Sequence, residues 1–232
     1  MVDAEEIEYL LNRYFWNIDT EELFSDEDYV IGADGSVQIT NVDVGNQRPA
    51  PGGVLPLKFG TVDGGLSIAS MKLKTLLNSP KTVNGKFDCS RNLLTSLAHS
   101  PDFVVDFDCS YNQLTSLKGC PKVPGELVCN HNQLKTLESV PEAGRVWATN
   151  NPFEHFRDTP SHIGTVSIFW YPNLPLLGLL TVGRIELFEP ETYKSMQKLE
   201  QIMNRYSGQG RAGAFDCRQE LKKAGFEGNA KW

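Results

Sequence analysis

Three cysteines stand at equal intervals: Cys89, Cys109 and Cys129 are each 20 residues apart. Thiolates at regular spacing invite a zinc site. On successive coils of a parallel stack, equivalent residues lie about 4.8 Å apart, which yields near-collinear sulfurs with no fourth donor. Tetrahedral zinc needs four converging ligands, usually with C-x-x-C pairs, and the chain has none. The column therefore reads as small thiols packed in a core. Cys120 and Cys217 fall outside it and are expected to be partly exposed. No metal and no cofactor is assigned.

The remaining chemical patterns are weak. Gly208-Gln-Gly210-Arg-Ala-Gly213 matches G-x-G-x-x-G but lies between expected helices rather than after a strand, so it reads as a helix-breaking turn. His99, His131, His155 and His162 lack H-E-x-x-H spacing, and no G-x-S-x-G or Walker sequence occurs. No catalytic residue is assigned, and the chain reads as a non-enzyme. An enzyme assembled from distant residues is the lower alternative.

Charge separates along the chain. Residues 1–34 carry eleven acids against Arg13 alone, within a total of 29 acids and 22 bases. Such a head disfavours a nucleic-acid partner, because those binders gather Lys and Arg on one face. It reads as a self-repelling, solvated surface. The longest apolar stretch, Leu174 to Val182, is broken by Pro175 and Gly178 and is far shorter than the ~20 residues of a spanning helix. The start, Met1-Val-Asp-Ala-Glu-Glu6, has neither the basic nor the apolar region of a secretion signal. Five cysteines, an odd number, then favour reduced thiols.

The elements that carry these residues repeat. Phe87-Asp-Cys-Ser-Arg-Asn-Leu-Leu-Thr-Ser-Leu97 recurs as Phe107 to Leu117 and as Leu127 to Leu137; a fourth unit, Val146 to Phe156, follows with Ala148 and Asn151 at the cysteine and asparagine positions. Leu66, Ile68, Met71, Leu73 and Leu76 repeat the spacing upstream with Met in place of Asn, as a terminal coil tends to. Val166-Ser-Ile168 and Ile185-Glu-Leu187 add two short strands. Period-2 alternation turns Phe107 and Cys109 inward and Asp106, Asp108 and Ser110 outward. Asn92, Asn112, Asn132 and Asn151 are expected to stack as an internal ladder, since an amide offers one acceptor and two donors. Pro80, Pro101, Pro121, Pro141 and Pro160 punctuate return segments of about nine residues, too short for a convex helix.

The pattern resembles the leucine-rich repeat, L-x-x-L-x-L-x-x-N-x-L, written here as Val104-x-x-Phe107-x-Cys109-x-x-Asn112-x-Leu114. Its length and proline-punctuated return are similar to the short repeats of secreted effectors of enteric bacteria. Some of those carry a ubiquitin-ligase domain, but only 44 residues follow residue 188 here and Asp216-Cys217 is not that family's catalytic motif. Over residues 28–232 the chain resembles leucine-rich-repeat proteins of tailed bacteriophages and other large viruses. The shared phrases are Val54-Leu-Pro-Leu-Lys-Phe-Gly60, Phe-x-Cys-Ser-x-Asn-x-Leu-Thr-Ser-Leu, Asn173-Leu-Pro-Leu-Leu177, Gly208 to Gly213 and Leu221-Lys-Lys-Ala-Gly-Phe226. The resemblance implies a viral product in the host bacterial cytoplasm, or alternatively in the virion, and brings no settled activity.

The expected fold is an α+β solenoid of short leucine-rich repeats with a parallel concave sheet and helical and hairpin caps. Residues 1–53 form the N-terminal cap, 54–188 the solenoid (clearest repeats 80–159) and 189–232 the helical C-terminal cap. Ile7, Leu10, Leu11, Tyr14 and Phe15 mark one helical face; Tyr29 to Ile31 and Val37 to Ile39 flank a hairpin turn at Asp34-Gly35; residues 41–53 read as a linker. Tyr193, Met196, Leu199, Met203 and Tyr206 share a face of another helix, with a last helix near Ala214 to Ala224. Outward strand positions fall in columns: Lys86, Asp106, Glu126 and Arg145; Asp88, Asp108, Val128 and Trp147; Ser90, Ser110, Asn130 and Thr149; and, at the edge, Arg91, Tyr111, His131 and Asn150. Trp147 beside Tyr111 and His131 is the expected aromatic anchor, and Asp88, Asp106 and Asp108 an acidic flank for a basic partner. The expected partner is a host or phage protein, not a membrane, with oligomeric state open. Inhibition of a host defence or housekeeping factor is the leading role, and a virion component the alternative.

Overall fold

Residues 3–17, 23–39, 44–46, 48–188 and 193–232 are described by the computed structural model, those at 16, 17, 44–46 and 193–195 by backbone alone. Asp19, Glu21 and Glu22 of the acidic head, residues 41–43 and 47 of the expected linker, and the Tyr193 side chain lie outside the described residues.

Strand alternation shapes every coil. In β8 (Lys86–Asp88) and β9 (Asp106–Asp108), Phe87 and Phe107 point inward, fully buried and stacked with centroids 5.6 Å apart. Cys89, Cys109 and Cys129 follow them into the core with no exposed surface. Next the chain turns a corner through a left-handed residue: Arg91, Tyr111, His131 and Asn150 have φ of 53–55°. That conformation costs an L-residue about 1–2 kcal/mol, so the corner needs compensating bonds.

The asparagines supply them. Asn112 Oδ1 accepts the Leu94 N–H of the preceding coil at 3.0 Å, and its Nδ2 donates to the Cys89 and Cys109 carbonyls at 3.1 Å and to Ser110 O at 3.2 Å. Asn92, Asn132 and Asn151 repeat the pattern toward Leu73, Leu114 and Leu134. All four are buried. Leu94, Leu97 and their counterparts Leu114, Leu117, Leu134 and Leu137 then close the core, and the return segments hold no α-helix.

Coils stack into a parallel-strand solenoid of about seven turns. Its main wall is nine-stranded, in the order β1 (Phe15–Asn17), β4 (Val44–Asn46), β6 (Leu66–Ser67), β8, β9, β10 (Val123–Val128), β11 (Ala143–Trp147), β12 (Ile163–Phe169), β13 (Arg184–Phe188). Among the described residues, the β1–β4 pair alone in this wall is antiparallel. A second wall joins β2 (Tyr29–Ile31), β3 (Val37–Ile39), β5 (Phe59–Val62) and β7 (Thr82–Val83). The hairpin of β2 and β3 turns at Gly35 (φ 75°) and pairs directly with β5, so it extends this wall. Residues 44–46, read from sequence as linker, instead form β4, because β6 on one side and β1 on the other satisfy their backbone.

Both ends carry helices. At the start, α1 (Ala4–Tyr14) is capped by Asp3, which accepts the Glu6 N–H, and buries Ile7 and Leu11; Phe15 meets Phe59 edge-on at 5.3 Å. At the far end α2 (Tyr193–Tyr206) buries Met196, Leu199, Ile202 and Met203. Its polar side chains finish the sheet: Asn204 bonds both the N–H and the carbonyl of Ile185, and Glu200 accepts the Leu187 N–H. An open strand edge is thereby covered. α3 (Ala214–Lys223) packs on α2 and buries Cys217 against Met203, so Cys217 is not partly exposed as expected.

Replacing Asn112 by Ala strands the buried Leu94 N–H and removes one of the two amide donors from each of the Cys89 and Cys109 carbonyls, which keep Asn92 and Asn132 respectively. Urea unfolding is expected to show a loss of about 1–3 kcal/mol, against under about 0.5 kcal/mol for the exposed Lys118→Ala.

Candidate interaction face

Outward side chains of the main wall stand in rows set by the strand register. Lys86, Asp106, Glu126 and Arg145 align and continue into Thr165 and Arg184. Asp88, Asp108, Val128 and Trp147 align and continue into Ser167 and Glu186. The last members were absent from the expected face, although Val166-Ser-Ile168 and Ile185-Glu-Leu187 were legible as strands.

The acidic flank is partly committed to the fold. Asp88 accepts the Ser90 N–H at 2.9 Å, Asp108 accepts the Ser110 N–H and hydroxyl at 3.0 and 2.6 Å, and Asp106 accepts the Glu126 N–H at 2.8 Å. These bonds close the turn after each strand or the bulge before β10's last residues. Gly125 makes the last one feasible, since a Cβ there would lie 2.1 Å from Asp106 Oδ1. Lys86 Nζ sits 3.7 Å from Asp108 and 4.0 Å from Asp88, lowering the flank's free negative charge.

Two aromatic groups form rather than one. At the corner, the Arg91 guanidinium lies 4.5 Å from the Tyr111 centroid, the Tyr111 and His131 rings stack at 4.1 Å, and the Asn150 amide meets His131 Nε2 at 2.9 Å. Trp147 belongs elsewhere, 5.9 Å from Phe188 and 5.1 Å from the Arg145 guanidinium. The expected cluster of Trp147 with Tyr111 and His131 is thus replaced by separate groups, because the corner residue leaves the strand plane. Arg145 is held by Glu186 at 2.8 Å, with Glu126 at 3.8 Å; Ser167 Oγ also donates to Glu186. This network fixes the Trp147 side of the face.

A second column was not anticipated. Gly85, Gly125, Gly144, Gly164 and Gly183 each precede the first outward residue of a coil, and a Cβ at any of them would come within 3.0 Å of atoms in the coil before. Glycine there lets the backbone bend from the second wall onto the first. The spacing of these glycines, near 20 residues except where Val105 intervenes, was the available signal.

Cys89, Cys109, Cys129 and Cys217 are buried, whereas Cys120 is partly exposed, as expected for it. Burial pushes the Cys129 and Cys217 thiols up to about 12, and Cys89, Cys109 and Cys120 well above their ordinary value. Among the described residues no group of three or more His, Cys, Asp or Glu is placed to hold a metal ion. In the G-x-G-x-x-G segment, Gly208 N–H donates to Val182 O and Gly210 N–H to Leu180 O, so the loop's amides dock it on the last coil.

Fold and face together define a parallel-strand solenoid, helically capped, that displays side chains in rows. No protein-family model, curated protein or solved structure matches the chain.

The thiols give stability a sign at high pH. Unfolded thiols ionise near 9 while the folded ones stay protonated, so stability is unaffected below about pH 9 and falls as pH rises toward about 12. Each thiol adds a slope of about 1.4 kcal/mol per pH unit. Urea midpoints across this range should fall less steeply for Cys129→Ala; an unchanged slope would contradict this account.

Proposed function

We propose that the protein is a non-enzymatic interaction module of the leucine-rich-repeat kind, made by a bacteriophage, which binds a host protein in the bacterial cytoplasm through its main wall. Host-directed inhibition is the role this reading favours. One observation carries it: outward residues from six successive coils are held in register on a rigid sheet, with aromatic, cationic and anionic groups side by side. Such a platform is preformed, so a partner is met with little ordering cost. The asparagine ladder and short returns support the leucine-rich-repeat reading. The phage origin rests on the shared phrases between residues 28 and 232.

Partner contact centres on Trp147, Arg145 and Glu126 at one side and on Tyr111 and His131 at the corner, with Val128 between them and Lys86, Asp88, Asp106 and Asp108 behind. Affinity purification from infected host cells tests this. A host protein should be captured early in infection, and Trp147→Ala with Tyr111→Ala should weaken it by about 2 kcal/mol or more, roughly 30-fold. Lys118→Ala, on the return side, should leave it unchanged. Stoichiometric recovery of the chain in purified particles would instead make it a virion component.

A further inference from the structure

Three arginines meet at the C-terminal cap. Arg157, beside the last repeat unit, Arg211, from the loop before α3, and Arg218, from α3, line one cleft of about 490 Å³ with Asp158, Phe215 and Trp232. All three are exposed, and among the described residues none makes an ion pair, whereas Arg145, Arg184 and Arg205 each face a glutamate. Among the described residues Asp158 brings the one side-chain carboxylate in the cleft lining. Like charges gathered without matching acids repel one another, and an anion relieves that repulsion.

The walls add a second requirement. Phe215 is 70% exposed on the first turn of α3, and the Arg211 guanidinium lies 5.9 Å from the Trp232 ring centroid. A ligand with a flat ring beside its anionic group would cover these faces. Guanidinium forks match phosphate oxygens in paired hydrogen bonds, and aromatic faces stack on planar rings. The cleft lies within the roughly 300–1,000 Å³ of small-molecule sites. A nucleic-acid polymer fits less well, because the chain is −7 overall and its main wall carries Asp88, Asp106, Asp108 and Glu126.

We propose that this cleft binds a nucleotide, with its phosphates on Arg157, Arg211 and Arg218 and its base against Phe215 and Trp232. The Gly208 to Gly213 loop takes no phosphate through the Gly208 and Gly210 amides, which are already bonded; side chains do that work. The site is separate from the main wall and does not depend on the partner proposed for it.

Calorimetric titration of the full chain with ATP, adenosine and inorganic phosphate at low salt tests the assignment. ATP should bind at least about tenfold tighter than either fragment. Arg157→Ala and Arg218→Ala should each weaken ATP by about tenfold, Arg218→Lys by less, since the charge stays and the fork is lost. Phe215→Ala should weaken ATP and leave phosphate unchanged. These side chains are exposed, and an unaltered thermal melt verifies folding. ATP binding no tighter than phosphate, or indifferent to these substitutions, overturns the proposal. So does binding of single-stranded oligonucleotides that strengthens with length.

Discussion

A single carboxamide per coil holds this structure together. At the corner where each strand ends, the backbone takes a left-handed turn and leaves the sheet, so one N–H and one carbonyl of each coil lose their ladder partners inside an apolar core. Asn92, Asn112, Asn132 and Asn151 bond all of them, one coil to the next. An unpaired buried polar group costs about 1–3 kcal/mol, which makes a different side chain at these positions expensive. Where the repeat ends, the fold finds substitutes. Tyr171 stands at the asparagine position after Asn151 and its hydroxyl donates to the Phe153 carbonyl; Asn204, from α2, treats Ile185 as a neighbouring strand would.

Everything outward follows from that inner register. Because each coil is bonded to the next at a fixed residue, the cysteines fall into one buried column and the outward residues into rows. Several outward residues serve the fold and the surface together. Asp88, Asp106 and Asp108 terminate turns with one oxygen and present the other, so the flank is less negative than its composition implies. The Arg145 network leaves Trp147 as a positioned, half-buried indole beside a guanidinium. Acidic α1 and the arginine cleft near α3 sit at opposite ends, which gives the solenoid a charge polarity along its axis.

Much of this was legible in the residues, for physical reasons. A 20-residue period with Asn, Cys and Leu at fixed offsets gives strand, corner and core directly, and amphipathic spacing marks α1 and α2. Other features depend on contacts distant in sequence. β4 has only three residues in a Gly- and Pro-rich segment and exists because β1 and β6 flank it. Register placed Trp147, Tyr111 and His131 on neighbouring columns but said nothing of the corner's direction, so their grouping was misjudged. Cys217 looked like an ordinary helix-surface thiol until α2 supplied Met203. The arginine cleft joins residues 157, 211, 218 and 232, whose proximity no local pattern signals.

Native-state hydrogen exchange reads the hold of the asparagine ladder residue by residue. The amides of Leu94, Leu114 and Leu134, which donate to asparagine side chains rather than to a sheet, should exchange only through global unfolding and match the slowest strand amides. Exchange at the rate of the exposed turn amides of Ala98 and Lys118 would show that the corners open independently, and that the ladder does not hold the coils in register.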